Sequence, residues 1–299
     1  MPEILIKKDN VILDATVLSS LMACERFVDF RFNKNLIPAS GSGNPIEAGI
    51  LVHKILEEYA KGIMNGLSRK DAISIGMNAG QMLAGELPNI PQDNVKDDSG
   101  KLKEVGYNWI VTTMEQYFER WRNDSWTPIA SEQVKRTLVY EDDDIRVLWV
   151  SKLDRLVDTF TQGVMPLDHK TMKQNRSPIL LNNQFMGQCI SAQSVRMCID
   201  KIGFQKTLKP EEKFKREIIN YNRSQLAEQI QTIGYYAKYL VDLNKHGYYP
   251  PRYVFCDKYG GCIFRKVCES VPSDRERMLK LHFVVGDDWN PAAAEDEVE

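Results

Sequence analysis

The segment SKLDRLVDTFTQGVMPLDHKT carries two carboxylates and a lysine whose types suit one another: Asp154, Asp168 and Lys170. Carboxylates held close together repel, and so favour a hard divalent cation, which prefers oxygen ligands. Such a cation makes water nucleophilic near neutral pH and draws charge from a phosphate. A neighbouring lysine can orient that water or stabilise the negative charge as it develops. The set therefore suits phosphodiester hydrolysis. A bare D-x-K triplet is short, and its bland reading is a surface salt bridge between Asp168 and Lys170. The spacing of the surrounding elements lifts the catalytic reading above that.

Those elements are a hairpin and a third strand. Ser131 to Tyr140 and Ile145 to Phe160 are rich in β-branched residues and flank an acidic turn at Glu141 to Asp144. Asp154 is expected to end or interrupt the second strand. After a turn at Gln162 and Gly163, Gly163 to Lys170 reads as a third strand. Residues two apart on a strand share a face, so Asp168 and Lys170 point one way and His169 the other. Far upstream, His53 lies in EAGILVHKILEEY on a helix spanning Ala48 to Ile63. A lone histidine there is more often structural than a ligand. Gly49, one turn earlier, lets another backbone or a nucleic-acid strand approach. A histidine ligand would tilt metal preference towards manganese.

Around this centre, helices are expected over Thr16 to Phe32 (capped by Asp14 or Thr16), Ser68 to Leu83, Val105 to Trp121, Asn182 to Met197 and Ser224 to Asn244, the last ending near Gly247. Gly41 to Pro45 and Pro88 to Glu104 read as loops, and Lys213 to Tyr221 as a late strand. Tyr107, Trp109, Tyr117 and Trp121 recur at helical spacing, which favours packing over base stacking. The order predicts one α/β core wrapped by an N-terminal helical region and closed by a cysteine-bearing module.

Charge and composition narrow the class. No apolar run is long enough to span a bilayer, and the N-terminus lacks the features of a signal peptide. A cytoplasmic protein with no membrane association is expected, its six cysteines being thiols or metal ligands. The net charge of −2 becomes +4 without the six acidic residues of the last stretch, Asp287, Asp288, Glu295, Asp296, Glu297 and Glu299. The body therefore has room for a basic groove. One candidate stripe is Lys201, Lys206, Lys209, Lys213, Lys215 and Arg216; another is Lys170, Lys173 and Arg176. Either stripe could simply be a solvated face, a reading at least as good as a groove for the first.

Cys256, Cys262 and Cys268 are evenly spaced in CDKYGGCIFRKVC, where Gly260 and Gly261 permit tight turning. Three thiolates are one short of a closed site, and Cys24 in ACERF can supply the fourth. Four thiolates suit zinc or an iron–sulfur cluster, and spacing does not decide between them. Cys189 and Cys198 read as packed residues.

Taken together, these motifs resemble the RecB-type branch of the PD-(D/E)XK nucleases. That branch includes the nuclease domains of the RecB and AddB helicase–nucleases, CRISPR-associated RecB-like exonucleases, and phage-encoded relatives. Its order is an early cysteine, G-x-x-x-H, G-x-x-D, D/E-x-K, Q-x-x-x-Y and three late cysteines. Here these positions read Cys24, Gly49 to His53, Ser151 to Asp154, Asp168 to Lys170, Gln184 to Gln188, and Cys256, Cys262 and Cys268. The similarity runs from about Thr16 to Cys268. Ser151 stands where glycine is usual, and Gln188 where tyrosine is usual. Gln231 and Tyr235 also match the fifth motif, but lie too far downstream and read as part of a core helix.

The resemblance implies a restriction-endonuclease-like α/β core in a single nuclease domain over 1–285. Its parts are a helical region at 14–125, a catalytic core at 126–250, and an iron–sulfur module at 251–270 with Cys24. An acidic disordered tail is expected at 286–299. His53, Asp154, Asp168 and the backbone carbonyl of His169 would hold Mn2+ or Mg2+. Lys170 would be the catalytic lysine, and Gln184 would hold the site or the DNA. Cys24, Cys256, Cys262 and Cys268 would hold a structural 4Fe-4S cluster, with zinc as the alternative. The implied activity is exonucleolytic cleavage of single-stranded or end-containing DNA in recombination, repair or phage DNA processing. A recombinase, helicase or single-strand-binding protein is the expected kind of partner. No Walker A loop is present, so a helicase would be a separate chain. The alternative is a non-catalytic or partner-dependent DNA-binding component of a recombination or CRISPR-adaptation complex. Such a protein is expected to lose one of Asp154, Asp168 or Lys170, and all three are present.

Overall fold

The N-terminal half begins with strands β1 (Ile6–Lys7) and β2 (Asn10–Leu13), then helices α1 (Ala15–Ala23) and α2 (Glu25–Val28) and strand β3 (Leu36–Pro38). Helices α3 (Asn44–Met64) and α4 (Arg69–Ala84), strands β4 (Val95–Lys96) and β5 (Leu102–Glu104), and helix α5 (Tyr107–Arg120) follow. The central part is β6 (Thr127–Glu141), β7 (Arg146–Thr159), β8 (Gly163–Met172), α6 (Asn183–Ser191), β9 (Arg196–Gly203), α7 (Pro210–Lys213) and β10 (Phe214–Asn220). The chain closes with α8 (Arg223–His246), α9 (Arg265–Glu269), α10 (Arg275–His282) and β11 (Phe283–Val285). This computed structural model describes residues 6–7, 10–39, 43–100, 102–172, 180–206, 208–257, 261–287 and 289. Gly41, Lys173, Arg176, Gly260, Asp288 and the acidic residues after Trp289 lie outside them.

Local chemistry explains most boundaries. The Asp14 carboxylate accepts from the Val17 amide at 2.7 Å and starts α1. The expected helix from Thr16 to Phe32 is broken at Cys24, whose backbone is extended (φ −165°, ψ 117°). A π-helical turn at Asp29–Asn33 then finishes the run. Asp142 Oδ1 accepts the amides of Asp144 and Ile145 and so closes the β6–β7 turn. Gly247, at φ 64°, terminates α8 in the left-handed conformation that glycine adopts at little cost. The polar stretch from Pro88 to Glu104 contains the small β4–β5 hairpin as well as loop.

Two departures concern strands. The helix expected over Asn182 to Met197 stops at Ser191, and Gln193 (φ 53°) turns the chain into β9. Every residue of β9 after Arg196 is buried, so the strand shows no alternation that would distinguish it from a helix. Strands β1 and β2 were likewise unexpected.

The main sheet runs β1-β2-β7-β8-β9-β10, with β6 also paired to β7. Antiparallel β6 occupies one edge of β7 along nearly its whole length. On the other edge, parallel β2 covers the start, from Arg146 to Trp149. Antiparallel β8 covers the end, from Arg155 to Thr159. Among the described residues, positions 150–154 of β7 have no strand partner on that edge. Asp154 lies in this gap, inside the strand rather than at its end.

Helices cover both faces. Along β9, Met197 and Ile199 pack with Phe185 and Cys189 of α6, whereas Ile202 packs with Leu51, Ile55 and Met114 of α3 and α5. A second apolar cluster joins Val17 and Leu21 of α1 and Leu240 of α8 to Val147 and Trp149 of β7. The fold is thus a mixed α/β sandwich with both sheet faces buried. Trp289, inside the stretch expected to be tail, packs edge-on against Phe32. Among the described residues, no helix is long and apolar enough to cross a membrane.

Candidate active site

Helix α3 faces the gap in β7 and brings His53 to it. Its Nδ1 lies 3.5 Å from Asp154 Oδ2 and 4.0 Å from Glu132 Oε1. One donor atom each from His53, Glu132 and Asp154 all lie within 4.8 Å of one another. Glu132 was not anticipated. Ser131 pairs with Arg155 and Gln133 with Leu153, a register that sets Glu132 against Asp154. Counting back from the acidic turn of the hairpin would have brought this stretch opposite Asp154. Glu132 has φ 52°, a left-handed backbone that costs a non-glycine residue about 1–3 kcal/mol. Its Oε2 also lies 2.6 Å from Lys152 Nζ.

Asp168 and Lys170 stand beside this group on β8, on the face covered by α6. Lys170 Nζ lies 2.7 Å from Asp168 Oδ2 and donates to Gln184 Oε1 at 3.0 Å. Asp168 Oδ1 accepts from Gln184 Nε2 at 2.8 Å and from Gln188 Nε2 at 3.0 Å. Gln188 therefore turns towards the site although it departs from the tyrosine of the motif. Asn182 caps α6 by accepting the Gln184 and Phe185 amides, which fixes the helix end that carries Gln184. The other departure, Ser151, is buried and accepts from Trp149 Nε1 at 2.9 Å and bonds to Ser191 Oγ at 3.0 Å.

His169 links the two groups through its backbone. Its amide donates to Asp154 Oδ2 at 2.8 Å, and its carbonyl accepts a hydrogen bond from the His53 ring. Its side chain points away, into a buried network. There Nδ1 lies 3.3 Å from Asp200 Oδ2, which the Tyr117 hydroxyl and Arg216 also approach. Arg216 pairs with Asp124 at 2.7 Å and lies over the rings of Trp121 and Trp126.

The electrostatics of the two environments differ. Burial, then the charges of Asp168 and Glu132, push the Asp154 carboxyl well above the ordinary carboxylate range. Burial lowers His53, with Glu132 and Asp168 opposing it. Burial also brings His169 down to about 4, so its ring is neutral near pH 7. Burial works against ionising Asp200, yet the His169 hydrogen bond and the Arg216 charge hold it below its usual value. A crowded, partly open set of carboxylates with one imidazole is a donor set that fits a divalent cation. It brings together His53, Asp154 and the newly found Glu132, with Asp168 held to one side by Lys170, Gln184 and Gln188.

The late cysteines form a separate locale. Cys24, Cys256 and Cys262 line a cavity of about 740 Å³ with Met22, Phe27 and Ile263. Cys268 joins the apolar cluster of Phe30, Phe264 and Val267 beside it. Burial raises Cys256, and the nearby Cys268 and Cys24 add to that rise. Burial likewise raises Cys262; a hydrogen bond from the Phe264 backbone opposes this, while Cys256, Cys268 and Cys24 reinforce it. The Arg252 amide points at Cys24 Sγ at 3.4 Å, and the Arg252 guanidinium pairs with Glu25, tying the segment after α8 to the start of α2. Three of the four thiols thus line one cavity and the fourth lies in the adjoining apolar cluster; among the described residues, the group of three or more His, Cys, Asp or Glu side chains drawn close enough to hold an ion is His53, Glu132 and Asp154. Cys189 and Cys198 are fully buried in the core.

No known family model matches the chain, and no curated protein matches it. Solved structures do. A crystal structure from Eubacterium rectale, described as a candidate exonuclease, overlays with a TM-score of 0.50 at 12% identity, covering 87% of this chain and 88% of that one. The structure of SSO0001 overlays at 0.36, with 11% identity and coverage of 88% and 87%. An alkaline exonuclease from Laribacter hongkongensis overlays at 0.31, with 8% identity and coverage of 65% and 96%. At the last two scores the chain paths agree too loosely to bear on the site. The first shows that this chain shares the overall fold of the Eubacterium rectale protein.

Proposed function

We propose that the chain is a metal-dependent DNA exonuclease of the PD-(D/E)XK type, from its RecB-like branch. The observation that carries this reading is the convergence of His53, Glu132 and Asp154 at the gap in β7, with the Asp168–Lys170 pair adjoining. His53, Asp154, the His169 carbonyl, Glu132 and Asp168 would hold Mn2+ or Mg2+. Such an ion supplies a nucleophilic water near neutral pH and neutralises phosphate charge.

The chain's own residues do the rest. Lys170 carries positive charge to the scissile phosphate and stabilises the charge that builds up there. Gln184 keeps the Lys170 ammonium and the Asp168 carboxylate in register by bonding both. Gln188 supplies a second amide to Asp168. The Asp200–His169 contact fixes the His169 ring behind the strand, so that its backbone keeps facing Asp154 and His53. Cys24, Cys256, Cys262 and Cys268 would hold a 4Fe-4S cluster in a structural role, pinning the C-terminal module to α1 and α2.

The test is digestion of end-labelled single- and double-stranded DNA with Mn2+ or Mg2+, comparing wild type with Lys170→Ala. Metal-dependent loss of label in wild type alone is expected. Equal inactivity in folded wild type and variant would move the partner-dependent DNA-binding reading to first place. Iron and sulfide analysis with visible absorbance, on protein purified without oxygen, checks the cluster. Stoichiometric zinc without iron would replace it.

A further inference from the structure

Half of the basic stripe between Lys201 and Arg216 is paired internally. Lys201 and Lys215 both pair with Glu217, and Arg216 pairs with Asp124. Two lysines differ. Lys206 Nζ and Lys213 Nζ lie 4.5 Å and 4.6 Å from the centre of the Trp109 ring. Lys213 is only 3% exposed, yet among the described residues its ammonium donates only to the amide oxygen of Gln116, at 2.7 Å. An ammonium has three donors, so that contact leaves two. Among the described residues, neither lysine makes an ion pair with a carboxylate. The two crowd each other, and the Lys213 ammonium is lowered first by burial and then by Lys206. A buried cation is costly unless an anion offsets it. Here an aromatic face and an amide attract the cations without neutralising them.

Position gives this pair a purpose. Trp109 Nε1 donates to the Phe204 carbonyl, just past the end of β9. The Phe204 amide donates to the Met172 carbonyl at the end of β8. Lys170 is two residues before Met172, a rise of about 7 Å. Both lysines therefore lie beyond the same sheet end that presents Lys170.

We propose that Lys206, held over Trp109 with the buried Lys213 adding positive charge behind it, binds a backbone phosphate of a nucleic-acid strand a few nucleotides from the one at Lys170. This rests on the nuclease reading for its geometry, but binding can be measured without catalysis. The probe is a fluorescent single-stranded oligonucleotide in excess chelator, with affinity followed by anisotropy across a salt series. A phosphate contact on a single strand contributes about 0.7 to the slope of log affinity against log salt. Lys206→Gln is exposed and safe for folding, and is expected to flatten the slope by about that amount and weaken binding several-fold. Lys206→Glu should weaken it further. Lys213→Gln, checked for folding, should act in the same direction. With metal restored, KM should rise in Lys206→Gln while kcat stays at the wild-type value.

An unchanged slope and affinity in both Lys206 variants would overturn the proposal, as would a wild type that does not bind the oligonucleotide. Wild type that binds with the expected salt slope and never cleaves would overturn the nuclease reading and leave this site standing.

Discussion

The rings of His53 and His169 lie 6.1 Å apart, yet their surroundings are organised on opposite plans. His53 is partly open to solvent and faces Glu132 and Asp154, with Asp168 close by. Lys152 and Lys170, which pair with Glu132 and Asp168, are themselves more exposed than those carboxylates. His169 is sealed, and the charges around it are matched: Asp200 and Asp124 against Arg155 and Arg216. A sealed, balanced network is a wall. A partly open one, with three carboxylates against two lysines, holds repulsion that a bound cation or a proton on Asp154 relieves. The two share the His169 backbone, so the wall can position the site without touching substrate.

The largest effect expected from this contrast is on stability. Asp200→Ala strips the carboxylate from Arg216, Tyr117 and His169, and breaking a buried ion pair costs about 3–5 kcal/mol. Urea unfolding checks it, and a loss below about 1 kcal/mol would break the description of this region as a wall. Lys170→Ala should do the reverse. Activity is expected to fall about 100- to 1,000-fold, the usual effect of removing one transition-state donor, while the unfolding midpoint changes little. Gly187→Ala tests the support on the α6 side. A Cβ there would lie 2.4 Å from the Trp149 ring, and overpacking of this kind costs about 1–3 kcal/mol. Activity should fall with it only as far as α6 shifts Gln184 and Gln188.

The smallest effect sharpens the contrast most. In the metal-free protein, Asp154 has a folded pKa above its ordinary 3.8, so the folded chain holds that proton longer than the unfolded chain does. The penalty is absent below the unfolded value and grows as pH rises towards the folded one. Asp154→Asn removes it. The variant should therefore melt above wild type at pH 8 without metal, with the gap closing towards pH 3. Mn2+ should raise the melting temperature of wild type more than that of the variant.

The legible part of the fold was where local chemistry decides. The β6–β7 hairpin, the cap at Asp14 and the stop at Gly247 are short-range signals. Strand β9 was hidden because both its faces are buried, and β2 because its partner lies more than a hundred residues away. The break at Cys24 also depends on distant residues, since Arg252 and Glu25 fasten it. In the site, Asp154, Asp168, Lys170 and His53 stood out by type and spacing. Glu132 did not, because a lone glutamate in a β-rich run has no local signature. Only the register across the hairpin brings it to Asp154, and its φ of 52° is a property no residue type announces. The resemblance drew attention to Gln184, and the bond from Gln188 to the same oxygen of Asp168 supplies a role for the position that departs from the motif.

The most direct measurement is a Mn2+ titration followed by the electron paramagnetic resonance of the free ion, in wild type and in Asp154→Ala. Manganese prefers oxygen and nitrogen donors, so the cysteine locale should not compete. Wild type is expected to remove the ion from solution at micromolar protein and metal, and Asp154→Ala to leave it free. Wild type that leaves the signal untouched, or a variant that binds as well as wild type, would contradict a cation site at His53, Glu132 and Asp154.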